Sequence, residues 1–373
     1  MKGETFIVLR MPFSSFHGNR DVLDRLRGML ARDRFPHAVI LAGPEGSGKY
    51  TLAQMLAKAM NCLSPPPGEL ADFCGACKNC LRIAEADDLE ARCTAAVEAR
   101  ETLRETDKKD TRIFVQTHPD VLIIPPDPPQ MMIKVDQVRH VIHEIYFRPA
   151  EGRRRVSIFT RAAFMKEAAN SLLKVLEEPP DFATLFLLAE NPGQLLPTIR
   201  SRCVTFQLAP LDAAEIERDL ASFHPEWKPP QRALVARLSE GAVGRARSFD
   251  LAAYIAARQD ALLLLTSAVN ADDHSTLFRV TETYRAGAEG RDKTDHLLRT
   301  LYSLLEDLLF VKSGTPELVR NTDIAAELKR LAAAIDFPWI AAAAQRIGEV
   351  ESGMRRNLLR SLSLDAMVAS LEK

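Results

Sequence analysis

The sequence predicts an α/β domain with a parallel sheet, followed by a small helical lid and an all-helical C-terminal domain. Short apolar runs alternate with helical patterns through the first part of the chain, up to Pro210, which is typical of a parallel α/β sheet. The strand signal ends after Pro210. From about Leu251 the apolar residues follow helical periodicity only.

Length and composition set limits on the class of protein. The chain has 373 residues, which suits two or three domains, and its hydrophobic (46%) and charged (27%) fractions fit folded domains with several cores. The net charge of -1 argues against a generally basic nucleic-acid-binding surface, so any DNA contact is expected through a local patch or through partners. No apolar run approaches the ~18 residues of a membrane helix. Residues 1–13 lack a long apolar region and a cleavage site, so we expect a cytoplasmic protein.

The individual elements follow from short apolar runs and helical stripes. The first strand is predicted at His37–Leu41, directly before a glycine-rich loop. Further strands are predicted at Val121–Ile124, Val156–Phe159, Leu185–Leu188 and Val204–Phe206, and helices at Val135–Tyr146, Glu167–Leu176 and Asp212–Phe223. The strongest C-terminal helix ends just before Gly314 and carries a leucine stripe made of Leu297, Leu301, Leu304, Leu305 and Leu308.

One segment, Ala84–Arg112, stands apart because it is charged, alanine-rich and poor in large apolar residues. This composition predicts a solvated helical or mobile insertion, to which we assign no chemistry.

The glycine-rich loop, residues 43–49 (GPEGSGK), has the Walker A spacing and lies between a predicted strand and a predicted helix. Its backbone N–H groups can surround phosphate, and Lys49 can reach the outer phosphates. The next position should carry Ser or Thr to hold Mg²⁺ but carries Tyr50. Thr51 is one place late and faces about 100° further round the helix. The candidate residues of this weak or vestigial nucleotide site are Gly43, Gly46, Gly48, Lys49 and Thr51.

A nucleotide hydrolase also needs acidic residues at the end of a later strand, to hold magnesium and orient the attacking water. The matching strand is Val156–Phe159, and Thr160 and Arg161 occupy the places of the two acids. Arginine cannot accept a proton at neutral pH. ATP hydrolysis by the isolated chain is therefore not expected. Weak nucleotide binding is left open. The alternative is a strand–turn–helix whose loop keeps the Walker A pattern without binding nucleotide.

The cysteines predict a metal site. Cys74, Cys77 and Cys80 follow the pattern C-x₂-C-x₂-C, and Cys62 lies at the end of the helix after the phosphate loop. Four thiolates form a closed tetrahedral Zn²⁺ site, which is structural because no ligand position stays open. The alternative is a set of free buried cysteines. Cys93 falls in the charged insertion and has no assigned role.

Five segments together resemble the clamp-loader subunits of bacterial DNA polymerase III, which are AAA+ proteins. The segments are HAVILAGPEGSGK, the cysteine cluster, THPDVLIIPP, KEAANSLLKVLEEPP and LLPTIRSRC, and the resemblance covers most of residues 13–250. Clamp loaders are pentamers that open a ring-shaped sliding clamp and close it around primed DNA. Two kinds of subunit share these motifs, the ATP-hydrolysing tau/gamma kind and the delta-prime kind. Tyr50, Thr160 and Arg161 resemble delta-prime, and an active tau/gamma-type ATPase is the alternative.

The resemblance implies roles for two arginines. In the Ser201-Arg202-Cys203 triplet, the family's arginine reaches into the ATP site of a neighbouring subunit, so Arg202 is implied as an arginine finger. Without the resemblance, Arg202 would be a surface arginine in a salt bridge, and Arg200 nearby is expected to be a supporting or solvated charge. Arg245 lies where AAA+ proteins keep a lid arginine called sensor 2, although a structural role fits it equally.

The resemblance also implies the domain plan and the partners. It implies an AAA+ domain at 1–209 that includes the zinc module (62–80) and the insertion (84–112), a lid at 210–250, and an oligomerisation collar at 251–373. The implied partners are the tau/gamma and delta subunits in a hetero-pentamer, and the sliding clamp and primed DNA through that assembly, with no membrane. By itself the chain is not expected to be an ATPase, although it would be part of the DNA polymerase III assembly.

A third interpretation is a zinc-dependent nucleic-acid binder. It would need clustered basic and aromatic residues beside the cysteines. That region offers only Lys78, Arg82 and Phe73, so this interpretation ranks below the other two.

Overall fold

A computed structural model describes residues 12–270, 275–285, 287–355 and 358–371. The chain forms two compact units. The first comprises the described residues up to Asp212 together with Gly241–Arg245, and the second comprises Ala213–Glu240 and the described residues from Ala246 onward. The boundaries predicted at 209 and 250 stay a prediction, and most of the N-terminal stretch 1–13 lies outside the described residues.

The first unit contains a six-stranded sheet with the order β2-β3-β4-β5-β1-β6. Its strands are β1 (Ala38–Ala42), β2 (Val115–His118), β3 (Val121–Ile124), β4 (Arg155–Phe159), β5 (Ala183–Ala189) and β6 (Val204–Gln207). Five neighbouring strands are parallel, as predicted. The edge strand β2 was not predicted, and it pairs antiparallel with β3.

Helices cover both faces of this sheet. The helices of this unit up to Arg200 are α1 (Arg20–Ala31), α2 (Lys49–Asn61), α3 (Lys78–Ala84), α4 (Leu89–Glu101), α5 (Glu105–Asp110), α6 (Val135–Ile145), α7 (Lys166–Glu177) and α8 (Pro197–Arg200). Successive strand residues point to opposite faces. Val39 and Leu41 therefore join a core with α1 and α2, whereas Ile40 joins a core with α6 and α7. The central strands β1, β3, β4 and β5 are buried on both sides, which explains their continuous apolar runs.

From Ala213 onward the described chain is helical. The helices are α9 (Ala213–Phe223), α10 (Pro229–Leu238), α11 (Val243–Arg247), α12 (Leu251–Asn270), α13 (Ser275–Glu282), α14 (Gly287–Ser313), α15 (Ala325–Ala334), α16 (Phe337–Arg355) and α17 (Arg360–Ala369). The predicted leucine stripe is buried on α14, and Gly314 follows the helix with a φ of 77°. Among the described residues, no helix has the length and apolarity to cross a membrane.

The charged insertion forms α4 and α5, so its helical character is confirmed. The expectation of a solvated segment is wrong at Arg100, which is buried and pairs with the fully buried Asp127 at an Nη1–Oδ1 distance of 2.5 Å. Lys134 adds a second cation 3.1 Å from the same carboxylate. A buried carboxylate is stable only when it is paired, so this pair attaches the insertion to the domain.

We predict that Arg100→Ala lowers the free energy of unfolding by about 2–3 kcal/mol, because Asp127 would keep only part of its compensating charge. Chemical denaturation of the purified chain measures this. The matched control is Arg104→Ala, since Arg104 is exposed at the start of α5. Equal unfolding free energies for the two variants would contradict the assigned role.

Candidate functional site

The phosphate loop connects β1 to α2 at the carboxyl edge of the sheet. Gly46 and Gly48 have φ values of 78° and 86°, a backbone region that residues with a Cβ rarely adopt. A Cβ at Gly46 would also lie 2.6 Å from the backbone nitrogen of Arg245. Two of the glycines that the sequence singled out, Gly46 and Gly48, are therefore required by the backbone conformation of the loop.

Lys49 begins α2, and its ammonium turns back onto the loop. Its Nζ donates to the carbonyl oxygens of Gly43 and Pro44, both at 2.6 Å. Burial lowers the pKa of Lys49 below its ordinary value, although the carboxylates of Glu190 and Glu45 oppose that shift. Incoming phosphates would have to compete with these two carbonyl oxygens for the ammonium.

Tyr50, which occupies the position of the expected magnesium ligand, has a structural partner instead. Its hydroxyl donates to the carbonyl oxygen of Ala86 at 2.5 Å and accepts from Nε2 of Gln54 at 2.7 Å. Burial raises the pKa of Tyr50, so the phenol stays neutral. The side chain is hydrogen-bonded to the start of the insertion, so it cannot serve as a metal ligand.

Arg161 follows β4, in the place of the expected acid, and pairs with Glu190 at an Nη2–Oε1 distance of 3.4 Å. Glu190 follows the neighbouring strand β5, and sequence reasoning overlooked it. The sequence feature that could have identified Glu190 is a charged residue at the carboxyl end of a parallel strand, where the ligand-binding sites of open α/β sheets lie. With Thr160 and Arg161 after β4 and Tyr50 turned away, the residues here do not fit a magnesium ion.

Arg245, in the Gly241–Arg245 segment of the first unit, lies in the same region. The backbone N–H of Gly244 donates to the carbonyl oxygen of Gly46 at 2.8 Å, which places Arg245 directly against the phosphate loop. The side chain of Arg245 is exposed. Thr51, by contrast, is exposed on the first turn of α2 and makes no polar side-chain contact to the loop among the described residues.

The structure brings the four predicted cysteines together. The Sγ atoms of Cys62, Cys74, Cys77 and Cys80 all lie within 4.8 Å of one another. Cys62 caps the end of α2, and Cys77 and Cys80 lie at the start of α3. The two helices therefore fix three of the four positions.

The donor set fits a tetrahedral thiolate site. Backbone N–H groups of Cys74 and Leu63 donate to the sulfurs of Cys62 and Cys77, at 3.3 and 3.4 Å. Burial raises the pKa of the Cys77 thiol, but hydrogen bonds from the backbone at Cys80 and Leu63 outweigh it and bring the pKa to about 6. In the structure without an ion, burial raises the pKa of the Cys62 and Cys80 thiols. Four clustered sulfurs without a histidine or carboxylate among them match a structural Zn²⁺ centre.

Arg202 lies in the turn between α8 and β6. Its Nη2 donates to Oε1 of Glu177 at 2.5 Å, and its Nη1 donates to the carbonyl oxygen of Thr198 at 2.9 Å. Its side chain is one-third exposed. Cys203 beside it is packed, and burial raises the pKa of this thiol to about 12.

The six-stranded sheet, the phosphate loop after β1 and the helical regions that follow define an AAA+ P-loop protein. The family described as "DNA polymerase III, delta subunit" matches residues 18–212, just over half of the chain. The chain belongs to this family.

Relatives of both expected kinds are similar to the chain. The delta′ subunit of DNA polymerase III from Pseudomonas aeruginosa is 34% identical over 184 residues, which cover 49% of this chain and 46% of that protein. The tau subunit from Escherichia coli is 26% identical over 339 residues, which cover 85% of this chain and 46% of that protein. The chain spans about half the length of these curated relatives.

A solved structure of a DNA polymerase III gamma subunit-related protein from Thermotoga maritima aligns with 93% of this chain and 98% of its own. The TM-score is 0.40 and the identity 17%, values too low to add to the description of the fold.

We predict that the freshly purified chain carries about one Zn²⁺, and that Cys77→Ser loses it, because three thiolates leave the tetrahedral site open. Metal analysis by mass spectrometry measures the zinc content. Cys93→Ser is the matched control, since Cys93 lies in the insertion outside the four-cysteine cluster. A zinc content that is zero in the unsubstituted chain, or that survives Cys77→Ser, would contradict the assignment.

Proposed function

We propose that this chain is a non-hydrolysing clamp-loader subunit of the delta-prime kind, which supports ATP hydrolysis by a neighbouring subunit during loading of the sliding clamp onto primed DNA. One observation carries the proposal. Arg161, paired with Glu190, stands where a hydrolase needs an acidic metal site. A guanidinium cannot hold Mg²⁺ or accept a proton from water.

We predict that the isolated chain has no ATP turnover that depends on its phosphate loop. Tyr50→Thr should not create turnover, because Thr160 and Arg161 still leave the second half of the metal site absent. Phosphate release by the pure chain measures this. The control is Lys49→Ala, which lacks the lysine of the phosphate loop. Turnover that Lys49→Ala abolishes would contradict the proposal and favour a tau/gamma-type ATPase.

The tau/gamma alternative has a specific observation in its favour. The similarity to the Escherichia coli tau subunit extends over 85% of this chain, compared with 49% for the Pseudomonas aeruginosa delta′ subunit. Identity is nevertheless higher to delta′, at 34% against 26%. Similarity alone leaves both kinds open, whereas the chemistry at Tyr50 and Arg161 favours delta-prime.

In this proposal, Arg202 is the group that acts on a neighbour's ATP. A partly exposed guanidinium at the end of a short helix can deliver positive charge across an interface. Such charge is worth most where negative charge develops on the phosphate in the transition state. Arginine fingers in other nucleotide hydrolases contribute about 10³–10⁵ in rate.

We predict that Arg202→Ala leaves folding and assembly intact but slows DNA-dependent ATP hydrolysis by the reconstituted clamp loader. The loss should be partial, because one interface of several is affected. Arg202→Lys should restore little of the hydrolysis rate lost in Arg202→Ala, since a point charge lacks the planar fork that holds two oxygens. The matched control is Arg200→Ala, because Arg200 is exposed on the same helix and its side chain has no partner among the described residues. Unchanged hydrolysis and clamp loading with Arg202→Ala would remove the finger role.

The remaining parts of the proposal follow from the same resemblance. The four cysteines would hold a structural Zn²⁺, the tau/gamma and delta subunits would be the partners, and the C-terminal helices would form an oligomerisation collar. Exposed leucines near the end of the chain support the collar, since exposed apolar clusters mark interaction surfaces. These are Leu358, Leu359 and Leu362, which are 58%, 49% and 60% exposed.

A further inference from the structure

The guanidinium of Arg202 is held at defined points by its own chain. Nη2 donates to Glu177 at 2.5 Å, and Nη1 donates to the carbonyl oxygen of Thr198 at 2.9 Å and to Oγ of Ser201 at 3.3 Å. Two of these acceptors, on Thr198 and Ser201, lie on α8 and at its C-terminal end, directly before Arg202. Glu177 alone comes from another element, the last residue of α7.

These contacts leave part of the guanidinium open. Arginine has five N–H donors, and the contacts to Thr198, Ser201 and Glu177 use three of them. Nε–H and one hydrogen of Nη2 make no hydrogen bond with any described residue. Two donors of a guanidinium are what a phosphate engages in a bidentate contact. The guanidinium is thus fixed on one side and available on the other.

Glu177 is well placed to hold the guanidinium of Arg202 in one position. The last turns of α7 bury Leu172, Val175 and Leu176 against the sheet, and prolines follow at 179 and 180. The carboxylate therefore projects from the end of a rigidly packed helix. An arginine side chain that moves freely in solvent loses rotamer entropy when it is ordered.

We propose that Glu177 is a positioning residue for Arg202, and that it orders the guanidinium before a neighbour's phosphate arrives. The inference rests on the finger role proposed above. Glu177 also lowers the positive potential of the arginine, which opposes phosphate binding. However, Glu177 is 51% exposed, and solvent screens an exposed charge strongly. The ordering effect therefore outweighs the loss of potential.

The test uses the reconstituted clamp loader with ATP, primed DNA and clamp, and measures kcat and KM for ATP. Glu177→Ala should lower kcat about three- to tenfold with little change in KM, because ground-state nucleotide binding occurs in another subunit. Glu177→Gln should keep most of the rate, since its amide oxygen still accepts from Arg202. The matched control is Glu178→Ala, because the neighbouring Glu178 is exposed and its side chain has no partner among the described residues. Assembly size and melting temperature are compared for every variant.

The double variant Glu177→Ala with Arg202→Ala separates positioning from a structural role. If Glu177 acts through Arg202, the double variant should be no slower than Arg202→Ala alone. A normal or raised rate for Glu177→Ala, with Arg202→Ala slow, would overturn the role of Glu177 and leave the finger in place. An additional loss in the double variant would overturn it too. If Arg202→Ala has no effect, both proposals fail together.

Discussion

The burial of α2 is the constraint on which the rest of the first unit depends. All ten residues from Leu52 to Asn61 are buried, including polar ones that must find partners inside the protein. Lys58 pairs with Asp87 at 2.5 Å, at the start of the insertion. The side-chain oxygen of Asn61 accepts backbone N–H groups of the two residues before β4, Arg153 and Arg154. Because α2 begins at the phosphate loop and ends at Cys62, these bonds hold the loop, the insertion and the cysteine cluster in one framework. Tyr50 belongs to this framework, because it occupies the position of the expected metal ligand and makes a structural contact there instead.

Much of this framework could be predicted from local patterns in the sequence. The strand β3 was predicted with its observed bounds, Val121–Ile124, because continuous β-branched and leucine residues mark a doubly buried strand. The phosphate loop and the cysteine cluster could be predicted because glycine conformation and thiolate chemistry restrict the residue types at fixed spacing. The region from about Leu251 was predicted as helical, most strongly from the leucine stripe of α14, which the structure buries.

The features that were missed depend on contacts between residues far apart in the chain. The edge strand β2 has only four residues, and only its two ends are buried, so it carries little period-2 signal. Arg100 belongs to a charged segment whose pattern indicates a solvated face, and its partner Asp127 is 27 residues away. The bond from Arg202 to Glu177 spans 25 residues and two elements. Charge alone cannot tell which of many acidic residues a given arginine will meet.

In the proposed function, this chain acts on ATP held by another subunit and not on its own. A structure of the reconstituted clamp loader with a slowly hydrolysed ATP analogue, clamp and primed DNA tests it most directly. We expect the analogue in the loop of the adjacent subunit, with the Arg202 guanidinium within hydrogen-bonding distance (about 2.7–2.9 Å) of its terminal phosphate. We also expect Arg161 and Glu190 to stay paired. An analogue bound with Mg²⁺ in this chain's own phosphate loop, and Arg202 remote from every nucleotide, would contradict this role.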